Sequence, residues 1–219
     1  MRTAAMLRER DCDPLVVPLS RIVPLPHQSH AVEADAVMAT SANALAHLDT
    51  ALAVRLRSLP LFAVGAATAA AAHDAGFRTV TTGPGDAAGL AGLVAGTAGI
   101  RRIAYLCGRT RKPAMEKSLA AAGISVTTIE TYATERRDPT TGERAAMAAA
   151  PLDAVLVYSH EAAKAVAALH GDVELRPALA GALHVCMSAD CVDPLPAGLR
   201  VVIADAPTAD AMLTVLDAA

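Results

Sequence analysis

The chain has 219 residues, a formal net charge of −3 and a hydrophobic content of 53%, much of it alanine. The negative charge and the aromatic content of 2% argue against nucleic-acid binding, because phosphates are not attracted and bases find few rings to stack on. No apolar run approaches the roughly 20 residues that cross a bilayer, and the charged N-terminus carries no signal-peptide segment. The sequence therefore predicts a cytoplasmic protein without a membrane partner.

Short β-rich runs alternate with alanine-rich stretches, which predicts an α/β fold with parallel sheets and crossover helices. The predicted strands are 15–17, 36–39, 61–64, 79–81, 103–107, 126–131, 155–158, 184–187 and 201–204. The predicted helices are 42–54, 66–75, 86–95, 113–122, 143–149, 160–169 and 208–217.

One stretch of sequence occurs twice. Residues 35–41 read DAVMATS, and 118 positions later residues 153–159 read DAVLVYS. A second pair, AGFRTV at 75–80 and AGLRVV at 197–202, is displaced by 122 positions. This nearly constant displacement predicts two similar lobes, each a parallel sheet flanked by helices. Small-molecule sites often lie in clefts, so we expect a ligand between the lobes.

Two polar segments rich in helix and strand breakers interrupt this alternation, at 18–30 and 134–142, and are the predicted crossings between the lobes. One lobe is predicted to be discontinuous and the other continuous. The predicted ranges are 1–22 plus 139–219 for the first lobe, 27–131 for the second, and 23–26 and 132–138 for the connections.

Polar residues follow the predicted strands, at the end where parallel α/β folds bind ligands near helix N-termini. These candidates are Thr40, Ser41, Asn43, Gly65, Thr68, Arg109, Arg111, Lys112, Ser159 and Ser188. Ser41, Ser159 and Thr68 also stand where a helix needs an N-cap. Capping alone, or capping together with ligand binding, explains them.

The sharpest of these signals is the crowding of Arg109, Arg111 and Lys112 into one loop. Three cations repel one another unless carboxylates or a bound anion compensate them, although a solvated surface cluster is an alternative. Tyr132 is one of only three tyrosines and ends a predicted strand at a crossing. Its hydroxyl either faces the cleft or packs against the connection.

Several motifs are absent. The chain has no G-x-G-x-x-G after a strand, no G-x-x-x-x-G-K-[ST] and no G-x-S-x-G. Its four cysteines form no C-x-x-C pair and its seven histidines no H-E-x-x-H. These absences predict a site without metal or cofactor, lined by hydroxyls, N–H groups and arginines, for a ligand rich in carboxylates.

In order and spacing, these motifs resemble the uroporphyrinogen-III synthase family over nearly the whole chain. The resemblance rests on 35–43 (DAVMATSAN), 64–69 (VGAATA) with Gly76, 105–113 (YLCGRTRKP), 123–132, 157–159, 186–188 and 206–208. It implies two α/β lobes joined by a two-stranded connection, a monomer, and no cofactor. It also implies the substrate hydroxymethylbilane, a linear tetrapyrrole with eight carboxylates.

The same resemblance implies the reaction and the role of each site residue. The terminal hydroxyl leaves as water, the last pyrrole ring is inverted through a spirocyclic intermediate, and the macrocycle closes. Tyr132 matches the family's cleft tyrosine and is assigned as proton donor to the leaving hydroxyl. Hydroxyls in both lobes are expected to donate to acetate and propionate groups, and Arg109 and Arg111 to add charge. Those hydroxyls belong to Thr40, Ser41, Thr68, Ser159 and Ser188.

Two departures from the family keep alternatives open. Residues 1–7 look like the helix that follows the family's opening strand, so either the start is assigned too late or that strand is missing. The segment 185–190 has no counterpart to Gly65, and Pro194 and Pro196 interrupt the helix expected after it. The alternatives are a two-lobed protein that binds a small anion without transforming it, and a truncated, inactive family member.

Overall fold

The structure is a computed structural model that describes residues 2–26, 32–111 and 113–217. The chain divides into unit 1, formed by Met1–Arg21 with Arg136–Ala219, and unit 2, formed by Ile22–Glu135. Both divisions fall inside strands, whereas the sequence analysis predicts connections at 23–26 and 132–138. Lys112 and the predicted lobe boundary at residue 27 lie outside the described residues.

The elements alternate in chain order as an α/β fold requires. The strands are β1 (Ser20–Pro24), β2 (Ala36–Ala39), β3 (Leu61–Ala63), β4 (Val80–Thr82), β5 (Arg102–Gly108), β6 (Ser125–Arg136), β7 (Ala154–Val157), β8 (Leu183–Cys186) and β9 (Arg200–Ile203). The helices are α1 (Arg2–Arg8), α2 (Ala42–Ala46), α3 (Thr50–Leu56), α4 (Ala66–Asp74), α5 (Ala87–Ala95), α6 (Ala114–Ala121), α7 (Thr141–Ala148), α8 (His160–Gly171), α9 (Arg176–Leu179) and α10 (Ala209–Asp217). A short 3-10 helix spans Ala189–Cys191.

The larger sheet has the strand order β1-β6-β5-β2-β3-β4, and β2 to β6 pair in parallel. Helices α2, α3 and α4 cover one face of the β2–β6 part and α5 and α6 cover the other. Its central strands are therefore continuous apolar runs, as in β2, where all four residues are buried. Between β1 and β6, Leu25 donates to the Thr131 carbonyl and Arg137 to the Leu19 carbonyl. This pairing is antiparallel.

The smaller sheet belongs to unit 1 and has the parallel order β7-β8-β9. One face packs against α8 and the 3-10 helix, and the other against α10. Within the described ranges, β7 pairs with β8 on one side and with no strand on the other. None of the helices in those ranges is long and apolar enough to span a bilayer.

The mixed α/β fold with parallel sheets is confirmed, and three predictions about its elements are wrong. Residues 15–17 form no strand, and Leu15 and Val16 are exposed; the first strand begins later, at Ser20 in β1. The single helix predicted at 42–54 is two helices, because the Asp49 side chain accepts from the Leu52 N–H and starts α3. The strand predicted to end at 131 continues to Arg136, where it pairs with β1.

Candidate active site

The loops that follow β2, β3 and β5 lie at one edge of the larger sheet, because parallel strands all point the same way. We call this the carboxyl edge of unit 2. It brings together candidates that are far apart in sequence. They are Thr40, Ser41 and Asn43 after β2, Gly65 after β3, and Arg109 and Arg111 after β5.

Thr40 is held at this edge by a residue that the sequence analysis missed. The Thr40 Oγ1 lies 3.0 Å from the Tyr105 Oη. Tyr105 is only 3% exposed, and burial raises the pKa of its phenol, so the hydroxyl stays protonated at neutral pH. The sequence feature that could have predicted this contact is a tyrosine in the apolar strand β5, three residues before Gly108, because a buried phenol needs a polar partner.

Ser41 has the capping role that its position predicted. Its Oγ accepts a hydrogen bond from the Asn43 N–H at 3.2 Å, at the start of α2. The hydroxyl keeps its own hydrogen and a further lone pair for another partner. Asn43 is exposed in the first turn of the same helix.

Gly65 is the N-cap residue of α4 and has no side chain, so no side chain caps the first N–H groups of this helix. The loop after β4 packs beside it, because Gly83 donates to the Ala63 carbonyl and Gly85 to the Val64 carbonyl, both at 2.7 Å. Thr68, which was predicted to bind the ligand, is only 5% exposed within α4. Its hydroxyl therefore offers little accessible surface.

The two arginines after β5 differ in their surroundings. Arg111 donates to Glu116 at 2.7 Å, to Glu130 at 3.0 Å and to the Gly108 carbonyl at 3.3 Å. The Arg109 Nε lies 3.3 Å from the other Glu130 oxygen, and the Arg109 side chain is 62% exposed. The described cations of this loop are thus compensated by carboxylates, with Arg109 at the solvent side.

The ionisation states follow from these contacts. The hydrogen bond from Arg111 lowers the pKa of Glu130, and the bond to Glu116 raises the pKa of Arg111. Arg111 and Glu130 therefore stay charged at neutral pH. Behind it, burial raises the pKa of the Cys107 thiol to about 11, so this cysteine is a protonated core residue and a poor nucleophile.

Tyr132 owes its direction to a β-bulge. Cys107 pairs with Glu130, but the next residue, Gly108, pairs with Tyr132, so Thr131 is an extra residue in β6. Side chains alternate along a strand, and without the extra residue Tyr132 would face α5 and α6 with Val126. It packs instead with Ile129 against the cluster under α2, α3 and α4.

The Tyr132 ring lies directly over Gly108. A Cβ added to Gly108 would come within 2.7 Å of the Tyr132 Cζ and 3.0 Å of its Oη. On the α2 side, the His47 ring centroid is 6.4 Å from that of Tyr132, at a tilt of 46°. The half-buried phenol therefore stands at the carboxyl edge, within the same loop cluster as Arg109.

In unit 1, polar residues also follow the strands. Ser159 caps α8 by accepting from the Ala162 N–H at 3.2 Å, and the Ser188 Oγ lies 3.6 Å from the Cys191 Sγ. The His160 Nδ1 lies 2.8 Å from the Asp190 carbonyl and so carries the proton that it donates. No group of three or more His, Cys, Asp or Glu residues in the described part of the chain is arranged to hold a metal ion.

Comparisons with known proteins give one consistent family. The model of the family described as uroporphyrinogen-III synthase HemD (HEM4) matches residues 1–214. The crystal structure of a uroporphyrinogen-III synthetase from Helicobacter pylori 26695 is 19% identical, with a TM-score of 0.68, over 91% of this chain and 90% of that one. A mutant uroporphyrinogen III synthase from the extremely thermophilic bacterium Thermus thermophilus is 17% identical, with a TM-score of 0.51, over 99% and 93%. At such identities the structures show a shared fold. No curated protein matches the chain.

Proposed function

The chain belongs to the uroporphyrinogen-III synthase family, hydro-lyases of tetrapyrrole biosynthesis, and we propose how its residues close the ring. The substrate is hydroxymethylbilane, and the products are uroporphyrinogen III and water. The main support is the match over residues 1–214 together with a carboxyl edge that combines hydroxyls, an exposed arginine and a tyrosine.

Unit 2 binds substrate carboxylates through three kinds of donor. Thr40 and Ser41 donate through their hydroxyls, and Arg109 adds a positive charge on the solvent side of its ion pair. The N–H groups at the start of α4, after Gly65, favour negative charge because the helix dipole points its positive end there. Asn43 adds an exposed amide in the first turn of α2. In this proposal Thr68, being buried, contributes little.

Unit 1 provides the same kind of donor. Ser159 and Ser188 follow β7 and β8. The Ser159 Oγ accepts from the Ala162 N–H and so keeps its hydroxyl hydrogen, and the Ser188 Oγ keeps its hydrogen where the Cys191 thiol is the donor of their contact. We assign them to acetate or propionate groups of the substrate. Arg111 has a different role, since its contacts with Glu116, Glu130 and the Gly108 carbonyl use it to hold the loop.

The chemical step needs a proton. The carbon–oxygen bond of the hydroxymethyl group breaks as the Tyr132 phenol gives its proton to the departing oxygen, which leaves as water. The electron pair of the pyrrole stabilises the resulting cation. The substituted carbon of the last pyrrole ring then attacks the cationic carbon. This attack forms the spirocyclic intermediate, which rearranges. The ring carbon that forms the last bond of the macrocycle then loses one proton. This loss restores the aromatic pyrrole and balances the proton that Tyr132 donated.

A phenol is a weak acid, so most of the selectivity comes from how the bound substrate is folded. The spontaneous reaction closes the ring without inversion and gives the type I isomer. An enzyme that holds the last ring over the cation gives type III. The ratio of the two isomers therefore measures the function directly.

The test supplies purified protein with freshly generated hydroxymethylbilane and resolves the uroporphyrin isomers after oxidation. We expect an excess of type III over the spontaneous type I product. Tyr132→Phe removes one hydroxyl, and we expect turnover to fall at least about tenfold with little change in thermal stability, as for a general acid. Type I alone from the unmodified chain would refute the synthase function; unchanged turnover in Tyr132→Phe would refute only the donor role.

The two arginines separate binding from structure. Arg109→Ala should raise KM by an amount that shrinks as salt rises, because a solvent-side charge is screened. Arg111→Ala should lower thermal stability, because Glu116 and Glu130 lose their shared partner. Lysine at either position is the control that keeps the charge. Equal, salt-independent increases in KM in both alanine variants would contradict this division.

A further inference from the structure

We propose that Gly108 is a positioning residue, whose missing side chain makes the space in which the Tyr132 phenol stands. This inference rests on the proposed role of Tyr132 as proton donor. It assigns a function to a residue that touches neither the substrate carboxylates nor the leaving oxygen.

The first observation is the contact itself. A Cβ on Gly108 would lie 2.7 Å from the Tyr132 Cζ, 3.0 Å from its Cε2 and 3.0 Å from its Oη. Carbon atoms that are not bonded pack at about 3.5 to 4.0 Å. Even alanine at residue 108 would therefore push the hydroxyl end of the ring away from its position.

The second observation is that the backbone does not itself require glycine. Gly108 is absent from the residues with positive φ, which include Gly76, Gly85 and Gly123. It is the last residue of β5, and a glycine in a strand often marks the close approach of another group. In this case that group is the phenol.

The third observation is that a side chain at residue 108 would displace the Tyr132 ring and not the backbone of the strands. The Arg109 N–H donates to the Tyr132 carbonyl at 2.9 Å, and the Gly108 carbonyl accepts from Arg111 at 3.3 Å. These bonds fix the backbone on both sides of the contact. The Tyr132 side chain is only partly buried and turns about two side-chain bonds, so it moves at lower cost.

The bulge at Thr131 and the glycine therefore act together. The bulge directs the Tyr132 side chain to the face under α2, and Gly108 lets the ring lie close over the end of β5. A displaced phenol no longer meets the leaving oxygen. The carboxylate-binding groups, Thr40, Ser41 and Arg109, remain where they were.

The experiment compares Gly108→Ala, Tyr132→Phe and the double variant for type III turnover, KM and thermal unfolding. We expect Gly108→Ala to lower kcat at least about tenfold, nearly as far as Tyr132→Phe, with KM changed less than about twofold. In the double variant, Gly108→Ala should cause almost no further loss, because the hydroxyl it displaces is already gone. Gly92→Ala is the matched control, since Gly92 is exposed in α5 and a Cβ there meets nothing within 4 Å.

A second readout does not depend on activity. The chain has three tyrosines, so ring carbon–proton NMR resolves them, and Tyr132→Phe assigns the signal of Tyr132. Gly108→Ala should shift this signal and leave those of Tyr105 and Tyr158 in place.

Three results would overturn the proposal. They are an unmoved Tyr132 signal, kcat losses that multiply in the double variant, or a fall in kcat matched by equal changes in KM and in the unfolding temperature. Unchanged turnover in Tyr132→Phe, with type III still formed, would remove the donor role and this proposal but leave the synthase function. Type I alone from the unmodified chain would refute the function, while the NMR shift would still decide whether Gly108 positions the ring.

Discussion

Strands β2 and β7 have almost the same sequence in different surroundings. Each strand begins with Ala-Val directly after an aspartate, and each is followed by a serine that caps a helix. In unit 2, β2 lies between β3 and β5 and is fully buried. In unit 1, β8 is the one strand that pairs with β7 among the residues that the structure describes, and three of the four β7 residues are partly exposed. The local sequence thus determines the strand and its cap, while neighbouring strands determine the burial.

The two units also differ in the groups that follow these strands. The carboxyl edge of unit 2 combines the Thr40–Tyr105 pair, the ion pairs of Arg109 and Arg111, and Tyr132. After β7 and β8, unit 1 has serines and the His160–Asp190 contact. We therefore expect changes in unit 2 to affect turnover and changes in unit 1 to affect mainly stability and binding.

The largest expected difference concerns burial at equivalent positions. Met38 in β2 is 0% exposed, and its counterpart Leu156 in β7 is partly exposed. Met38→Ala should cost about 2–5 kcal/mol in the free energy of unfolding, and Leu156→Ala less than about half of that, because a less enclosed site loses fewer contacts. Denaturant unfolding measures both. Equal costs would mean that the outer edge of β7 is covered in solution.

The serine caps test whether the repeated motif binds carboxylates in both units. Ser41→Ala and Ser159→Ala should each cost about 1 kcal/mol in stability through the lost cap. Aspartate keeps the cap but places a negative charge where substrate carboxylates are proposed to bind. Ser41→Asp and Ser159→Asp should therefore fold normally and raise KM about tenfold, less at high salt. A normal KM in either aspartate variant would reduce that serine to a cap.

A pH effect is expected in unit 1. The His184 Nδ1 donates to the Ala182 carbonyl at 3.1 Å, so its Nε2 accepts from the His170 Nε2, 2.9 Å away. Burial lowers the pKa of both histidines below 6.5. As the pH falls through 6.5, these histidines take up protons in the unfolded chain, while the buried pair in the folded chain stays neutral. The stability that is present above about pH 6.5 is therefore lost as the pH falls further.

Amide exchange of β8 and β2, measured at about pH 8 and about pH 5.5, checks this expectation. Protection of β8 should fall more than that of β2 after correction for intrinsic rates. His73→Gln, at an exposed position in unit 2, is the control and should leave the difference unchanged. Equal losses in the two strands would show that this histidine pair is not responsible.

The smallest expected effect lies at the bulge. Thr131 is 0% exposed, and within the described chain its hydroxyl has no hydrogen-bond partner. Thr131→Val replaces this hydroxyl by a methyl group of similar size and should raise the stability of unit 2 by about 1 kcal/mol. Thr131→Ser keeps the hydroxyl and should not stabilise. A destabilised valine variant would mean that the hydroxyl finds a partner in solution.

By itself the sequence determined the features that depend on neighbours in the chain. Apolar runs bounded by polar residues gave β2, β3, β5, β7, β8 and β9 nearly to the residue, and serines after strands gave the caps. The order and spacing of the motifs along the chain also indicated the family, whose model then matched.

Only the tertiary structure decided features that join distant residues. Arg111 meets Glu130 across 19 positions, Thr40 meets Tyr105 across 65, and Thr68 is buried by how α4 packs. The direction of Tyr132 depends on one extra residue in the pairing of β6 with β5. A one-residue shift reverses the face of every later side chain, and periodicity within a single strand does not reveal the register of its partner.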